Sequence, residues 1–313
     1  MSRKTRPGTD AVTSKGWLVA HKWLLIRRTV QLSILGLFLA GPLVDVWIIK
    51  GNLTSSLTLG VLPLSDPFIL VQSLLAGHVA AASALIGAAI VLAIYALVGG
   101  RSYCSFVCPM NIVTDASRWL AKRLDLPKGW QPARETRLWI LASVLVTALI
   151  TGVMAWEMLN PVTILHRGLV FGGGYVWTVA LAIFLFDLVV SRRGWCGRLC
   201  PMGAFYGLIG SVSLTRVSAQ NRTACNDCMD CFAVCPEPHV ITPALRCADT
   251  GAGAGVGPVI LSGDCTNCGR CIDVCAKDVF VFDLRFHNDP PANEQEGERQ
   301  GESKTISTDR HAA

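Results

Sequence analysis

The sequence predicts an α-helical integral membrane protein, with four transmembrane helices in two repeats and a small α+β domain at the carboxyl end. Three observations carry that reading. Hydrophobic residues make up 51% of the 313 positions and charged ones only 16%, against about 25% in an ordinary soluble protein. Four long apolar segments interrupt the first two thirds of the chain. The 13 cysteines fall, with one exception, into short spaced motifs.

The apolar segments are Thr29 to Ile49, Val79 to Val98, Leu138 to Trp156 and Leu169 to Val190. A helix needs about 20 apolar residues to cross the hydrocarbon core. The second and third carry no charge; the first holds Pro42 and Asp45, and the fourth holds Asp187 near its end. An acid near a helix end costs less than one at the bilayer centre. The first segment reads as an anchor rather than a cleaved signal, because its apolar run is too long for a signal core.

Lys and Arg set the orientation. Seven precede the first segment (Arg3, Lys4, Arg6, Lys15, Lys22, Arg27 and Arg28), and seven more lie in 101–137. The outer connections hold only Lys50 and Arg167. The positive-inside rule places both termini and the middle loop in the cytoplasm of a bacterial inner membrane. The net charge of +6 follows from this asymmetry and from anionic lipid, and gives no reason to expect nucleic acid. The expected divisions are a basic amino-terminal stretch (1–28), a membrane domain (29–218), a cysteine-rich domain (219–287) and a polar disordered tail (288–313).

The membrane domain is built twice. "SDPFILVQSLLAGH" (Ser65 to His78) precedes the second segment, and "LNPVTILHRGLVFG" (Leu159 to Gly172) precedes the fourth. Each following segment ends in basic and glycine residues, an aromatic (Tyr103 or Trp195) and then C-x-x-x-C-P-M. The thiol pairs are offset by 92 residues, and Asp66 and Asn160 by 94.

The carboxyl-terminal motifs are more specific. "CNDCMDCFAVCP" from Cys225 and "CTNCGRCIDVCA" from Cys265 are both C-x-x-C-x-x-C-x-x-x-C, the pattern of a two-cluster bacterial ferredoxin. Three close thiolates wrap three corners of a [4Fe–4S] cube, and the fourth cysteine serves the other cube. The expected sets are Cys225, Cys228, Cys231 and Cys275 for one cluster, and Cys265, Cys268, Cys271 and Cys235 for the other. Zinc fits less well, since paired zinc sites show separated C-x-x-C knuckles. Cys247 has no motif neighbours and reads as a free thiol or small buried hydrophobe.

"CSFVCP" at Cys104 and "CGRLCP" at Cys196 each copy the second half of a ferredoxin run. Brought together by the repeat, Cys104, Cys108, Cys196 and Cys200 would make a four-thiolate set for iron–sulfur, another soft metal or a redox-active dithiol pair. Alternatively, the thiols stay free and Cys-Pro simply ends a helix. After the first pair, Ile112, Val113, Ala116, Trp119 and Leu120 recur at helical spacing, as in a helix lying on the membrane surface.

At these residues the chain resembles the NapH-type ferredoxin-like quinol dehydrogenase subunit of periplasmic nitrate reductase systems. "YCSFVCPMN", "GWCGRLCPMGAFYG" and "CNDCMDCFAVCPEPHV" all read as that family, and the match covers about residues 15–285. The resemblance implies a membrane subunit that takes electrons from quinol and works with a periplasmic four-cluster ferredoxin of NapG type. Electrons then go to periplasmic nitrate reductase, sometimes through a multihaem c-type cytochrome. Such a role needs proton acceptors on the outer side. Asp66, His78, Glu157 and His166 are available, and Asp66 and His78 are the expected quinol contacts. A redox maturation or maintenance factor, or a docking scaffold for a periplasmic reductase, are the alternatives.

Overall fold

The structure is a computed structural model, and it describes residues 6–127, 129–172, 175–246 and 257–286. Cys247 and the polar tail from residue 288 lie outside the described residues. The chain divides into two compact units. One comprises Met1–Leu24, Leu214–Ser262 and Gly269–Ala313, and the other Leu25–Ser213 with Gly263–Cys268.

In the larger unit the four apolar segments are all helical, with altered ends. The first helix runs Lys22–Val44 and stops where Asp45 adopts φ 58. The second runs Ala82–Val98 (17 residues). The third runs Thr136–Thr151 and ends on Gly152 at φ 67, a left-handed position that glycine takes without steric cost. The fourth segment is divided: Leu169 belongs to the preceding helix Pro161–Phe171, which ends on left-handed Gly172. The helix then restarts over Tyr175–Leu185 and continues as a π-turn over Phe186–Val190. Of these, only the stretch Val19–Val44 is long and apolar enough to cross a membrane by length and composition. The other three are shorter apolar helices; 17 residues span about 26 Å.

The repeat is visible atom by atom. Asp66 caps the Pro67–Leu75 helix, accepting a hydrogen bond from Phe68 N at 2.8 Å. Asn160 caps Pro161–Phe171 by accepting one from Val162 N at 3.1 Å. In both, proline fills the first helical position, where no N–H is needed. The first thiol of each pair then lies on a π-turn, Tyr103–Val107 or Trp195–Leu199, and the second follows it in extended conformation. Each turn leads through Cys-Pro into a helix, Met110–Arg123 or Pro201–Val212. One element breaks the symmetry. The first outer loop folds into an antiparallel sheet of Ile49–Gly51, Ser55–Thr58 and Leu62–Ser65. Strands pair Lys50 with Leu57 and Ser56 with Leu64.

The smaller unit is closed by an antiparallel pair, Thr215–Ser218 with Val281–Leu284. Val217, Val240, Ile241, Val259, Val279 and Phe280 fill its core. Two five-residue helices, Asp230–Val234 and Arg270–Val274, each follow a left-handed residue, Met229 or Gly269, and each end on a cysteine in extended conformation. The stretch read as a separate basic amino terminus is part of this unit. Gly8 N donates to Asp230 Oδ2 at 2.8 Å, Lys15 pairs with Asp278, and Trp23 N and Leu24 N both donate to Asp273 at 3.0 Å.

Gly100 precedes the first thiol loop where backbones nearly touch: a Cβ there would fall on the Tyr206 carbonyl and the Gly210 backbone. Gly100→Ala is expected to lower the thermal midpoint of the detergent-purified protein by the equivalent of about 2 kcal/mol or more. An unchanged midpoint would refute the close packing.

Candidate functional site

In the smaller unit, the four cysteines expected to hold one cluster face a common cavity. Cys225, Cys228, Cys231 and Cys275 line it together with Met229, Phe232, Leu245, Val274, Val279 and Phe280. Three thiols come from the first run and the fourth from the end of the second, as the crossed pattern requires. Apart from Asn226 and Asp227 the remaining wall is apolar. Burial pushes the Cys231 thiol up to about 12, so uptake of a cluster there must release its proton. The donor set, three thiols from one run and one from the other, fits a [4Fe–4S] cluster.

The cysteines expected for the other cluster are placed as follows. Cys235 ends the Asp230–Val234 helix, and Cys271 lies on Arg270–Val274. Cys265 and Cys268 belong to the short segment of the larger unit, Gly263–Cys268, which is heavily tied there. Arg101 Nη1 donates to Asp264 O at 3.0 Å, and Arg137 pairs with the Asp264 carboxylate. Ser105 Oγ donates to Thr266 O at 2.8 Å, and Asn267 Nδ2 donates to Val98 O at 3.0 Å.

The repeat brings Cys104, Cys108, Cys196 and Cys200 together in the same larger unit. Cys104, Cys108 and Cys200 pack against a buried core of Phe68, Tyr103, Leu141, Trp156, Met202 and Tyr206. Cys196 lies 3.9 Å from Thr114 Oγ1 and within electrostatic reach of the other three. Burial pushes the Cys200 thiol up to about 11 and Cys196 well above its usual value. Positive charge from Arg101 and Arg137 acts in the opposite direction at Cys104. Among the described residues, no group of three or more His, Cys, Asp or Glu side chains is gathered for a single metal ion.

The first thiol loop is gripped by side chains that sequence reasoning left unassigned. Gln31 Nε2 donates to Ser105 O at 2.9 Å, and Arg27 Nε donates to the same carbonyl at 3.2 Å. Behind them, Asp115 binds Arg27 at 3.2 Å, Arg28 at 2.6 Å and Arg193 at 2.5 Å. Burial alone would raise the Asp115 carboxyl, but Arg193, Arg27 and Arg28 hold it below the usual carboxylate range. Asp115 thus ties both repeats to the first helix. The only signal for it was a lone acid in a basic helix.

Asp66 and His78 are not brought together. They flank the Pro67–Leu75 helix, nine residues long, hence about 14 Å of rise. His78 is exposed. Asp66 is buried, and Tyr206 Oη donates to its Oδ2 at 3.2 Å. Tyr206 stacks on Tyr103 at 4.7 Å, directly before Cys104. Desolvation by burial raises the Asp66 carboxyl to about 6. Glu157, half-buried and also raised by burial, is surrounded by Thr163, Asn160 and Thr54. His166 is buried, edge-on to Phe38 at 5.0 Å, and its Nε2 has no hydrogen-bond partner among the described residues.

Comparison with known proteins agrees with this geometry. A family model described as "4Fe-4S binding domain" matches residues 80–127 and again 173–218, one copy on each repeat and each containing one thiol pair. The methylamine utilization ferredoxin-type protein MauN of Methylorubrum extorquens is 52% identical over 90% of this chain and 96% of its own length. MauN of Paracoccus denitrificans is 54% identical over 88% of this chain and 95% of its own. The ferredoxin-type protein NapH of Escherichia coli is 46% identical over 91% and 97%. The chain belongs to the NapH/MauN family of ferredoxin-type proteins. It is an iron–sulfur electron-transfer protein, and the NapH-type resemblance read from its motifs holds over nearly its whole length. No solved structure matches it.

Cys275→Ser removes the one second-run thiol in the cavity. The purified variant is expected to lose about four iron atoms per chain, one cubane, as read by iron and sulfide analysis. Unchanged iron would remove Cys275 from the site.

Proposed function

We propose that this chain is a multi-pass membrane electron carrier that oxidises quinol and passes the electrons through iron–sulfur clusters towards a periplasmic partner. The observation that carries the proposal is the convergence of both thiol pairs beside a buried carboxylate, in a unit whose outer side chains are apolar. Leu85, Ile86, Leu92, Ile94 and Leu97 on the second helix are exposed, as are Leu138, Trp139, Val146, Leu149 and Ile150 on the third. Large exposed apolar surface of this kind favours a lipid environment. All four apolar helices then cross or enter the bilayer, with both termini cytoplasmic by the distribution of Lys and Arg. Trp119, 64% exposed on the Met110–Arg123 helix, suits the inner interface.

Quinol oxidation releases two electrons and two protons. Bound clusters supply one-electron acceptors; the chain's own residues must take the protons and hold the ring. Asp66 is the preferred base, because its carboxylate is buried, already accepts the Tyr206 hydroxyl, and lies within electrostatic reach of Cys104. Glu157 is the second acceptor, near enough to act on Asp66 electrostatically. Exposed His78 serves this role less well than the sequence suggested. The two ferredoxin runs hold two [4Fe–4S] clusters, and the repeat thiols a third iron–sulfur centre.

Two physiological settings follow from the relatives. The NapH resemblance points to a NapG-type ferredoxin and periplasmic nitrate reductase. Identities of 52% and 54% with the methylamine utilization proteins, against 46% with NapH, favour service to methylamine oxidation. Deleting the gene in its host is expected to abolish growth on methylamine and spare nitrate respiration; the opposite result would restore the nitrate assignment.

Reduction of the clusters by quinol in membranes tests the chemistry. With Asp66 raised to about 6, its base form is lost as pH falls through 6, so the rate should drop below that pH. Asp66→Asn should slow reduction by about 100-fold, the low end for loss of a general base, and remove that pH limb. Reduction that is unaffected by the substitution would exclude Asp66 as the base.

A further inference from the structure

The sequence gives no reason to connect the membrane repeats with the ferredoxin runs, yet the larger unit contains part of both. Arg101 is the junction. Its side chain is buried, with the residue 2% exposed. Nη2 donates to the carbonyl of Cys196 at 3.2 Å, Nη1 donates to the carbonyl of Asp264 at 3.0 Å, and the guanidinium also bonds the Cys104 thiol. One planar group therefore touches the first thiol pair, the second thiol pair and the residue preceding Cys265. A second bridge runs beside it. Ser105, next to Cys104 and 1% exposed, donates to the carbonyl of Thr266, which follows Cys265. The segment is pressed against the repeats by glycine: a Cβ at Gly263 would fall on the Gly207 carbonyl. Asn267 is anchored on Val98 O at the end of the second apolar helix.

Short buried hydrogen bonds between the loops that hold two redox centres shorten the path an electron must tunnel. A buried cation beside thiolates also stabilises the reduced, more negative state of a centre. We propose that the repeat thiols and the Cys265–Cys268 segment form one electron-transfer unit, joined through the Arg101 guanidinium and the Ser105–Thr266 hydrogen bond. In each step one electron leaves the iron–sulfur centre on Cys104, Cys108, Cys196 and Cys200, which is oxidised. The iron–sulfur centre that includes Cys265 and Cys268 gains it and is reduced; no proton or bond is exchanged. Arg101 and Ser105 are positioning residues for this step. The inference rests on the reading that both sets of thiols hold iron–sulfur centres.

The test uses the full chain, purified without oxygen. Iron is counted first, in wild type and in Cys104→Ser, whose lost signals identify the repeat centre. In fully reduced wild type, the electron paramagnetic resonance spectrum should show magnetic interaction that disappears in Cys104→Ser. Ser105→Ala and Arg101→Lys should keep the wild-type iron content but slow redistribution of an electron after flash reduction several-fold. Arg101→Gln, which also removes the charge, should lower the reduction potential of the repeat centre. Merely structural roles would instead cost iron; if a variant does lose iron, the wild-type magnetic interaction alone decides. Absence of iron from the wild-type repeat thiols would overturn the functional reading and this inference together. Iron present there, with no magnetic interaction and unchanged redistribution in both variants, would overturn the inference and leave the functional reading standing.

Discussion

Four half-buried thiols beside one another cannot readily ionise without positive charge to compensate them, and the larger unit supplies it. Tyr103, Met202, Tyr206 and Trp156 surround the site with apolar surface, and burial pushes every one of the four thiols up. Against this stand Arg101 and Arg137, both buried. Arg137 is held by Asp264, and Arg101 by two backbone carbonyls. A buried cation without such partners would cost several kcal/mol. A metal centre bound by thiols in this setting would have to displace their protons, which would link its uptake to proton release.

Duplication explains how one chain gathers those thiols. A capped outer helix, an apolar helix, a π-turn and a Cys-Pro helix start occur twice. The π-turns matter because the wider i→i+5 turn recurs at functional sites, and here each one joins the two cysteines of a pair. Cys108 N and Cys200 N close the turns on Tyr103 O and Trp195 O. The copies are not equivalent. Asp66 in the first has Asn160 as its counterpart in the second, so the acid appears once. Tyr206 from the second copy donates to Asp66 of the first, a contact that neither copy makes alone.

Much of this was legible in the residues. Spacing alone marked the ferredoxin runs, the thiol pairs and the repeat, because ligand geometry and helix length leave a direct imprint on sequence. The helix ends were misplaced where a single residue set them. Gly152 and Gly172 stop helices inside or beside apolar runs, and hydropathy does not register a left-handed glycine. The outer sheet over Ile49–Ser65 escaped because its strands are three or four residues long, too short to show alternation. Arg101, Ser105 and Asp115 were invisible for a different reason. Their long-range partners include Arg193 for Asp115, 78 residues away, and Asp264 for Arg101, 163 away, and a lone Arg or Asp near a membrane segment reads as an orientation signal. Asp66 and His78 were paired on chemistry alone; the structure buries Asp66 against Tyr206 and leaves His78 exposed.

The central claim is that the thiols of the two repeats hold an iron–sulfur centre in addition to those of the ferredoxin runs. Mössbauer spectroscopy of the full chain, grown on ⁵⁷Fe and purified without oxygen, tests it most directly. The account predicts cubane iron equivalent to about three clusters, roughly twelve iron atoms per chain. It predicts loss of one third of that iron when Cys104 and Cys196 are both replaced by serine. A wild-type spectrum with about eight iron atoms per chain, unchanged in the double variant, would contradict it.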